Sequence, residues 1–166
     1  MSDYYPWIPY PAIPAFSNLL QPGCRYWEWG AGASTIYAAS RKVEIWSVEH
    51  DPKWFYFTAS TLAQQQTDTK ISLIFRPLTF EYCQAIKEID GKFDLIFIDG
   101  RLRVDCCRQS VEKLSPGGII VLDNSDRPQY EEGINFIKSQ GFTESLYQGR
   151  GKDAKDPWRC SFFRKI

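Results

Sequence analysis

His50 is the only histidine in 166 residues, and neither a Ser-His-Asp nor a Cys-His arrangement can be assembled around it. Covalent nucleophilic catalysis is therefore not indicated. Net charge is lacking too, because 20 acidic residues balance 20 basic ones. No overall field draws the protein to nucleic acid or anionic lipid, and no long basic stripe carries interleaved aromatics, so nucleic acid is not expected as a partner. The five cysteines, Cys24, Cys83, Cys106, Cys107 and Cys160, include no Cys-x-x-Cys pair. Their odd number argues against a disulfide framework and for reduced thiols in a cytoplasmic setting. Met1–Tyr5 has neither the basic start nor the apolar core of a signal peptide, and no apolar run reaches the length of a membrane span. There is no internal repeat and no long low-complexity stretch.

What is present reads as one domain of alternating elements, and folding at this length buries roughly 70% of the unfolded surface. Residues 4–14 interleave aromatic groups with four prolines, which rules out helix and central strand there and predicts an extended arm. The arm either packs on the body through Trp7 and Ile8 or uses its aromatics to close a substrate pocket. A short helix over Ala15–Leu20 and a turn at Gln21–Gly23 complete an N-terminal region of residues 1–22. From residue 23 onward, strands are predicted from Arg25, over Glu44–Glu49, Ile71–Phe75 and Phe93–Ile98, and at Ile119–Leu122. Helices are predicted from Ser34 and over Lys53–Gln66, Thr79–Ile89, Val104–Leu114 and Gln129–Gln140, with Ser115–Gly118 as a turn. Two closing strands, Phe142–Tyr147 and Arg159–Phe163, flank a polar loop and imply an antiparallel hairpin at one edge. This order predicts an α/β fold over residues 23–166: a doubly wound, mostly parallel, seven-stranded Rossmann-like sheet with ligands at the carboxyl ends of its strands.

The stretch Arg25–Thr35, Arg-Tyr-Trp-Glu-Trp-Gly-Ala-Gly-Ala-Ser-Thr, reads as strand, glycine turn, helix. Gly30 and Gly32 permit positive φ and let a ligand come close to the main chain. Glu49 ends the next strand about twenty residues after the first glycine, where an acid can accept hydrogen bonds from both hydroxyls of a ribose. A dinucleotide fold asks for a third glycine at position 35, which is threonine. An NAD(P)-dependent oxidoreductase is thus the weaker alternative, and a non-catalytic binding or scaffold protein of the same fold is a second one.

By contrast, Glu28-x-Gly30-x-Gly32-x-Ser34 resembles the acid-then-glycine motif of the class I S-adenosylmethionine-dependent methyltransferases, and so does the order of strands and helices. The resemblance implies S-adenosylmethionine as cofactor. Glu28 would lie near the methionyl amino group, and the turn of Gly30, Ala31, Gly32, Ser34 and Thr35 would support the methionine portion. Glu49 would hold the ribose, with His50 flanking the adenine. The sulfonium methyl is already activated, so the protein needs only to align a nucleophile and, for a hydroxyl acceptor, to take a proton.

Asp99 and the pair Asp123-Asn124 close adjacent strands and should share one rim. Two carboxylates and an amide oxygen suit Mg²⁺, and the set resembles the metal-binding residues of catechol O-methyltransferase and its relatives. Asp99 and Asp123 are accordingly the candidate catalytic residues. In the alternative, Asp99 sits beside the cofactor while Asp123 and Asn124 order the following loop. The loop after Asp99 reads Arg101-Leu102-Arg103 and has no match for that family's lysine base. Arg101, Arg103 and Arg127, with Tyr130 nearby, either pair as surface charge or bind a carboxylate or phosphate on the substrate. The acidic rim, and the lack of an Asn-Pro-Pro-Tyr-like amino-group motif, favour O-methylation of a small-molecule or sugar-type acceptor.

Overall fold

A computed structural model describes residues 4–65 and 67–166. Met1–Asp3, part of the stretch read above as lacking signal-peptide features, and Gln66, the expected end of one helix, lie outside the described residues. Seven strands form a single sheet: β1 (Arg25–Trp29), β2 (Glu44–Glu49), β3 (Ile71–Phe75), β4 (Phe93–Ile98), β5 (Leu114–Asp123), β6 (Phe142–Gly149) and β7 (Trp158–Lys165). Their order is β3-β2-β1-β4-β5-β7-β6. β7 runs antiparallel to both of its neighbours, and the other pairings are parallel. The chain starts in the middle at β1, builds outward through β2 and β3, then returns to the other side of β1 with β4 and β5. The order therefore reverses between β1 and β4, and the crevice beyond their carboxyl ends is where such sheets bind ligands.

Side chains of the central strands alternate between two cores, as a sheet covered on both faces requires. Trp27, Trp29, Ile96 and Ile98 enter one core. It is completed by residues of α4 (Phe80–Gln84), α5 (Arg103–Lys113) and α6 (Glu131–Ser139). Tyr26, Leu95 and Phe97 enter the other, against α1 (Ile13–Leu19), α2 (Ala33–Ala39) and α3 (Pro52–Gln64). Glu28 alternates with the tryptophans and so points toward the same face as Tyr26. Among the described residues no helix is long and apolar enough to cross a membrane, and all five cysteines are free and buried.

Two expectations need correction. The N-terminal region is not extended throughout: a 3-10 turn at Tyr10–Ala12 leads directly into α1, which begins at Ile13 rather than Ala15. Pro11 and Pro14 each fall in a first turn, where a missing amide breaks no helical hydrogen bond. The second correction concerns Ser115–Gly118, which does not form a free turn between helix and strand. Leu114 already pairs with Phe93, and pairing resumes at Leu95 and Ile119, so residues 115–118 bulge out of a continuous β5 opposite Asp94. Gly117 takes φ 78° there.

The N-terminal region is also part of the core. Ile8, Ala12 and Phe16 are all 0% exposed, and the Phe16 ring meets those of Phe97 and Tyr26 at 5.1 and 6.1 Å. Phe16→Ala removes a fully buried ring, and the expected cost in urea unfolding is about 3 to 5 kcal/mol. A loss below about 1 kcal/mol, the range of exposed sites, would mean that the segment is peripheral to the fold.

Candidate functional site

The β1–α2 turn is shaped by a close approach of two chain segments. Gly30 has φ 98° and a Cβ there would stand 2.7 Å from the Gly100 amide nitrogen, so only glycine lets the ends of β1 and β4 lie against each other. Beneath the turn, Glu28 is 0% exposed. Its Oε1 accepts hydrogen bonds from the Tyr26 and Ser34 hydroxyls, and its Oε2 from the Thr35 and Ser47 hydroxyls. Thr35 Oγ1 accepts in addition from the Gly32 amide at 3.0 Å. Four hydroxyls on one carboxylate thus join β1, β2 and α2. Glu28 and Thr35 do not line the cleft. The contact expected between Glu28 and a methionyl amino group is replaced by support of the turn from below. Burial pushes the Glu28 carboxyl up to about 7, against the opposing pull of the four hydroxyls.

Above the turn lies a cleft of about 340 Å³. Gly30, Ala31, Gly32 and Ser34 form its floor, Glu49, His50 and Trp54 one side, and Asp99, Arg101 and Arg127 the other. Glu49 is 4% exposed, and its Oε1 accepts from the backbone amides of His50 and Asp51, both at 2.7 Å. These bonds fix the carboxylate and leave Oε2 for a ligand. His50 Nδ1 lies 2.9 Å from Glu49 Oε1, without the alignment of a hydrogen bond. The ring of His50 packs edge-on against Tyr82 with centroids 5.8 Å apart.

The rim at β4 and β5 is organised by Arg103. Leu102 adopts a left-handed backbone, φ 50°, which is uncommon outside glycine, and the sharp turn brings Arg103 back beneath the strand ends. Arg103 Nε donates to the Gly100 carbonyl at 3.0 Å. One terminal nitrogen donates to the carbonyl and Oδ1 of Asp99, at 2.5 and 3.0 Å. The other donates to the Asp123 carbonyl and to Asn124 Oδ1, at 2.5 and 3.2 Å. All five guanidinium donors are engaged, so Arg103 is not available to a substrate. Tyr130 lies outside the cleft, its ring centroid 5.1 Å from the Arg103 guanidinium carbon.

This arrangement corrects the Mg²⁺ expectation. A fixed cation already sits among Asp99, Asp123 and Asn124, and Asp123 Oδ1 accepts from Trp158 Nε1 at 2.8 Å. Among the described residues no three His, Cys, Asp or Glu side chains are placed to hold an ion. The donor set does not fit a metal. Asn124 instead turns the chain after β5 with φ 52°, a conformation that asparagine tolerates well. Burial raises both aspartates. Asp123 is raised further: it is 2% exposed and faces Asp99, while Arg103 opposes the shift at both acids and Arg127 opposes it at Asp99 as well. The two carboxyls face each other at one strand rim, where Asp99 leans on Arg103 and Asp123 on the Trp158 N–H.

No family model and no curated protein matches the chain. Solved structures do. An O-methyltransferase from Bacillus cereus in complex with S-adenosylhomocysteine is 18% identical, with 91% of this chain and 78% of that one covered and a TM-score of 0.72. The precorrin-6y C5,15-methyltransferase of Geobacter metallireducens is 17% identical, covering 93% and 89%, with a TM-score of 0.74. The chain has the fold of the class I S-adenosylmethionine-dependent methyltransferases. An rRNA methylase from Streptococcus thermophilus shares this methyltransferase fold at 12% identity, covering 94% and 96% with a TM-score of 0.71. Acceptors as different as these show that the fold by itself does not choose the substrate.

Sequence reading missed Trp54, which faces the cleft, and also Lys152 of the β6–β7 loop and Trp158 at the start of β7, which reach the rim beside Trp7. Trp54 had a signal, lying one helical turn into the helix that follows the ribose-type acid. The other two had none, because their position depends on β7 inserting beside β5.

The raised Glu28 carboxyl makes stability depend on pH. Its folded value of about 7 exceeds the ordinary 4.5, so the stability it contributes is complete below about pH 4.5 and is lost as pH rises through about 7. Relative to Glu28→Gln, the natural protein should lose roughly 3 kcal/mol between about pH 5 and pH 8 in urea unfolding. Parallel pH profiles for the two proteins would contradict the assignment.

Proposed function

We propose that this protein is an S-adenosylmethionine-dependent methyltransferase that transfers to a hydroxyl oxygen of a small-molecule or sugar-type acceptor. The observation that carries the reading is the cleft itself. A bare glycine floor, a buried acid with one unengaged oxygen, and an aspartate at the opposite rim converge at the sheet's switch point. Bound there, the cofactor supplies an activated sulfonium methyl. Glu49 Oε2 accepts hydrogen bonds from the ribose hydroxyls, while Trp54 and His50 flank the base. The floor from Gly30 to Ser34 supports the methionine portion without a side chain in the way.

Asp99 lines both this cleft and a neighbouring cavity, so it stands between donor and acceptor. Burial raises the Asp99 carboxyl toward the range of a useful base while Arg103 stabilises its charge, so Asp99 is the group that accepts the acceptor's hydroxyl proton as the oxygen attacks. The fixed Arg103 replaces any need for a metal to hold this rim together. Thr35 fills the place of the third glycine of a dinucleotide turn and binds Glu28, which disfavours the nicotinamide alternative. Buried, free thiols support a reducing, cytoplasmic setting.

Saturating S-adenosylhomocysteine, at about a hundred times its dissociation constant, should add roughly 2.7 kcal/mol, or about 5 to 10 °C in thermal unfolding. Mg²⁺ should add nothing further, and Glu49→Ala should abolish the shift. A shift with NAD or NADP and none with S-adenosylhomocysteine would overturn the cofactor assignment.

A further inference from the structure

Next to the cofactor cleft lies a second cavity of about 340 Å³, at the small end of the range for ligand sites and suited to a molecule of about one ring. It shares Trp7, Asp99 and Arg127 with the cleft and adds Asp123, Lys152 and Trp158. Asp99 comes from the end of β4, and three further segments complete the cavity. Trp7 comes from the N-terminal region, which is held to the β6–β7 loop by a hydrogen bond from the Tyr10 amide to the Arg150 carbonyl at 2.8 Å. The loop is packed so closely that a Cβ at Gly151 would stand 2.3 Å from the Trp158 ring and 2.7 Å from the Ile8 carbonyl. Arg127 comes from the turn after β5.

The charge at this cavity is uneven. The acids already have partners, because Asp99 is paired with Arg103 and Asp123 is buried and takes the Trp158 N–H. Arg127 and Lys152 have no direct partner among the described residues, Arg127 acting on Asp99 only through space. Neither side chain makes a hydrogen bond or ion pair with a side chain among the described residues; Lys152 Nζ lies 5.6 Å from the centroid of the Trp7 ring. Trp7 is itself set edge-on against Trp54 at 5.6 Å. Two indole walls and two cations without a hydrogen-bonded or ion-paired partner among the described residues thus surround a space that opens onto Asp99.

We infer that this cavity holds the methyl acceptor, and that the acceptor is a small hydroxylated ring carrying an anionic group. The ring lies between Trp7 and Trp158, and the anion is held by Arg127 and Lys152. Its hydroxyl reaches Asp99, facing the cofactor cleft. In the transfer, the hydroxyl oxygen forms a bond to the methyl carbon as the carbon–sulfur bond breaks. The bonding pair leaves with sulfur, giving the neutral thioether, and the hydroxyl proton passes to Asp99. This inference rests on the cofactor reading above and adds the class of acceptor to it.

Carboxylate and phosphate share the recognition chemistry, and calorimetry on the full chain saturated with S-adenosylhomocysteine separates them. Salicylate is compared with its neutral twin salicylamide, and glucose phosphate with glucose. At least one acid should bind about tenfold or more tightly than its neutral twin, and Lys152→Glu should erase that preference. Lys152 lies outside the cofactor cleft and on the surface, so the variant keeps its fold and its affinity for S-adenosylhomocysteine. Arg127→Ala should weaken the same acid. Equal binding of acid and neutral twin, binding of neither acid, or a preference that survives Lys152→Glu would each overturn the inference. Failure of the natural protein to bind S-adenosylhomocysteine at all would instead count against the cofactor reading.

Discussion

Arg103 is the interaction on which the rim of this protein depends. Its guanidinium ties the carboxyl ends of β4 and β5 together through two carbonyls, a carboxylate and an amide oxygen, and reaches the Gly100 carbonyl as well. Hydrogen bonds to a charged group are worth about 1.5 to 3 kcal/mol each, and a buried charge that loses its partners costs more than it gained. The cation therefore stays where it is. Its position sets a cation against Asp99 between two cavities and ties two strand ends together at a rim where two buried acids face each other.

A second buried charge plays the matching part on the other side of the switch point. Glu28 gathers four hydroxyls from β1, β2 and α2, and the glycine turn rests on that cluster. The two devices differ in kind. Arg103 is held between the two strand ends through all five of its donors. Glu28 titrates close to neutrality, and its network shifts between four donors around a carboxylate and the protonated acid. The cleft is thus built on a fixed guanidinium clamp and a buried carboxyl whose raised value makes it respond to pH.

Much of the fold was legible because the strands announce themselves. Phe93–Ile98 is a nearly unbroken apolar run, and Glu49 followed by Asp51 and Pro52 marks both a strand end and a helix start. The errors have specific physical causes. Glu28 adjoins a glycine turn and looked like a ligand-facing acid, yet the two-residue alternation of β1 places it with Tyr26, on the face that α2 covers. Arg103 looked equivalent to Arg101 because nothing local distinguishes them. The difference comes from the left-handed turn at Leu102. The prolines of the N-terminal region were read as helix breakers, whereas in a first turn they are compatible with helix. Lys152 and Trp158 could not have been read at all. β7 lies between β5 and β6, so a residue near the end of the chain pairs beside Asp123, with Cys160 opposite it.

The most direct test of the account is a crystal structure of the protein with S-adenosylhomocysteine. The account predicts the ribose hydroxyls within about 2.6 to 3.2 Å of Glu49 Oε2, the homocysteine portion over Gly30 and Gly32, and Arg103 unmoved between the strand ends. The ligand bound elsewhere, or bound only after Arg103 has swung out to admit a metal ion, would contradict it.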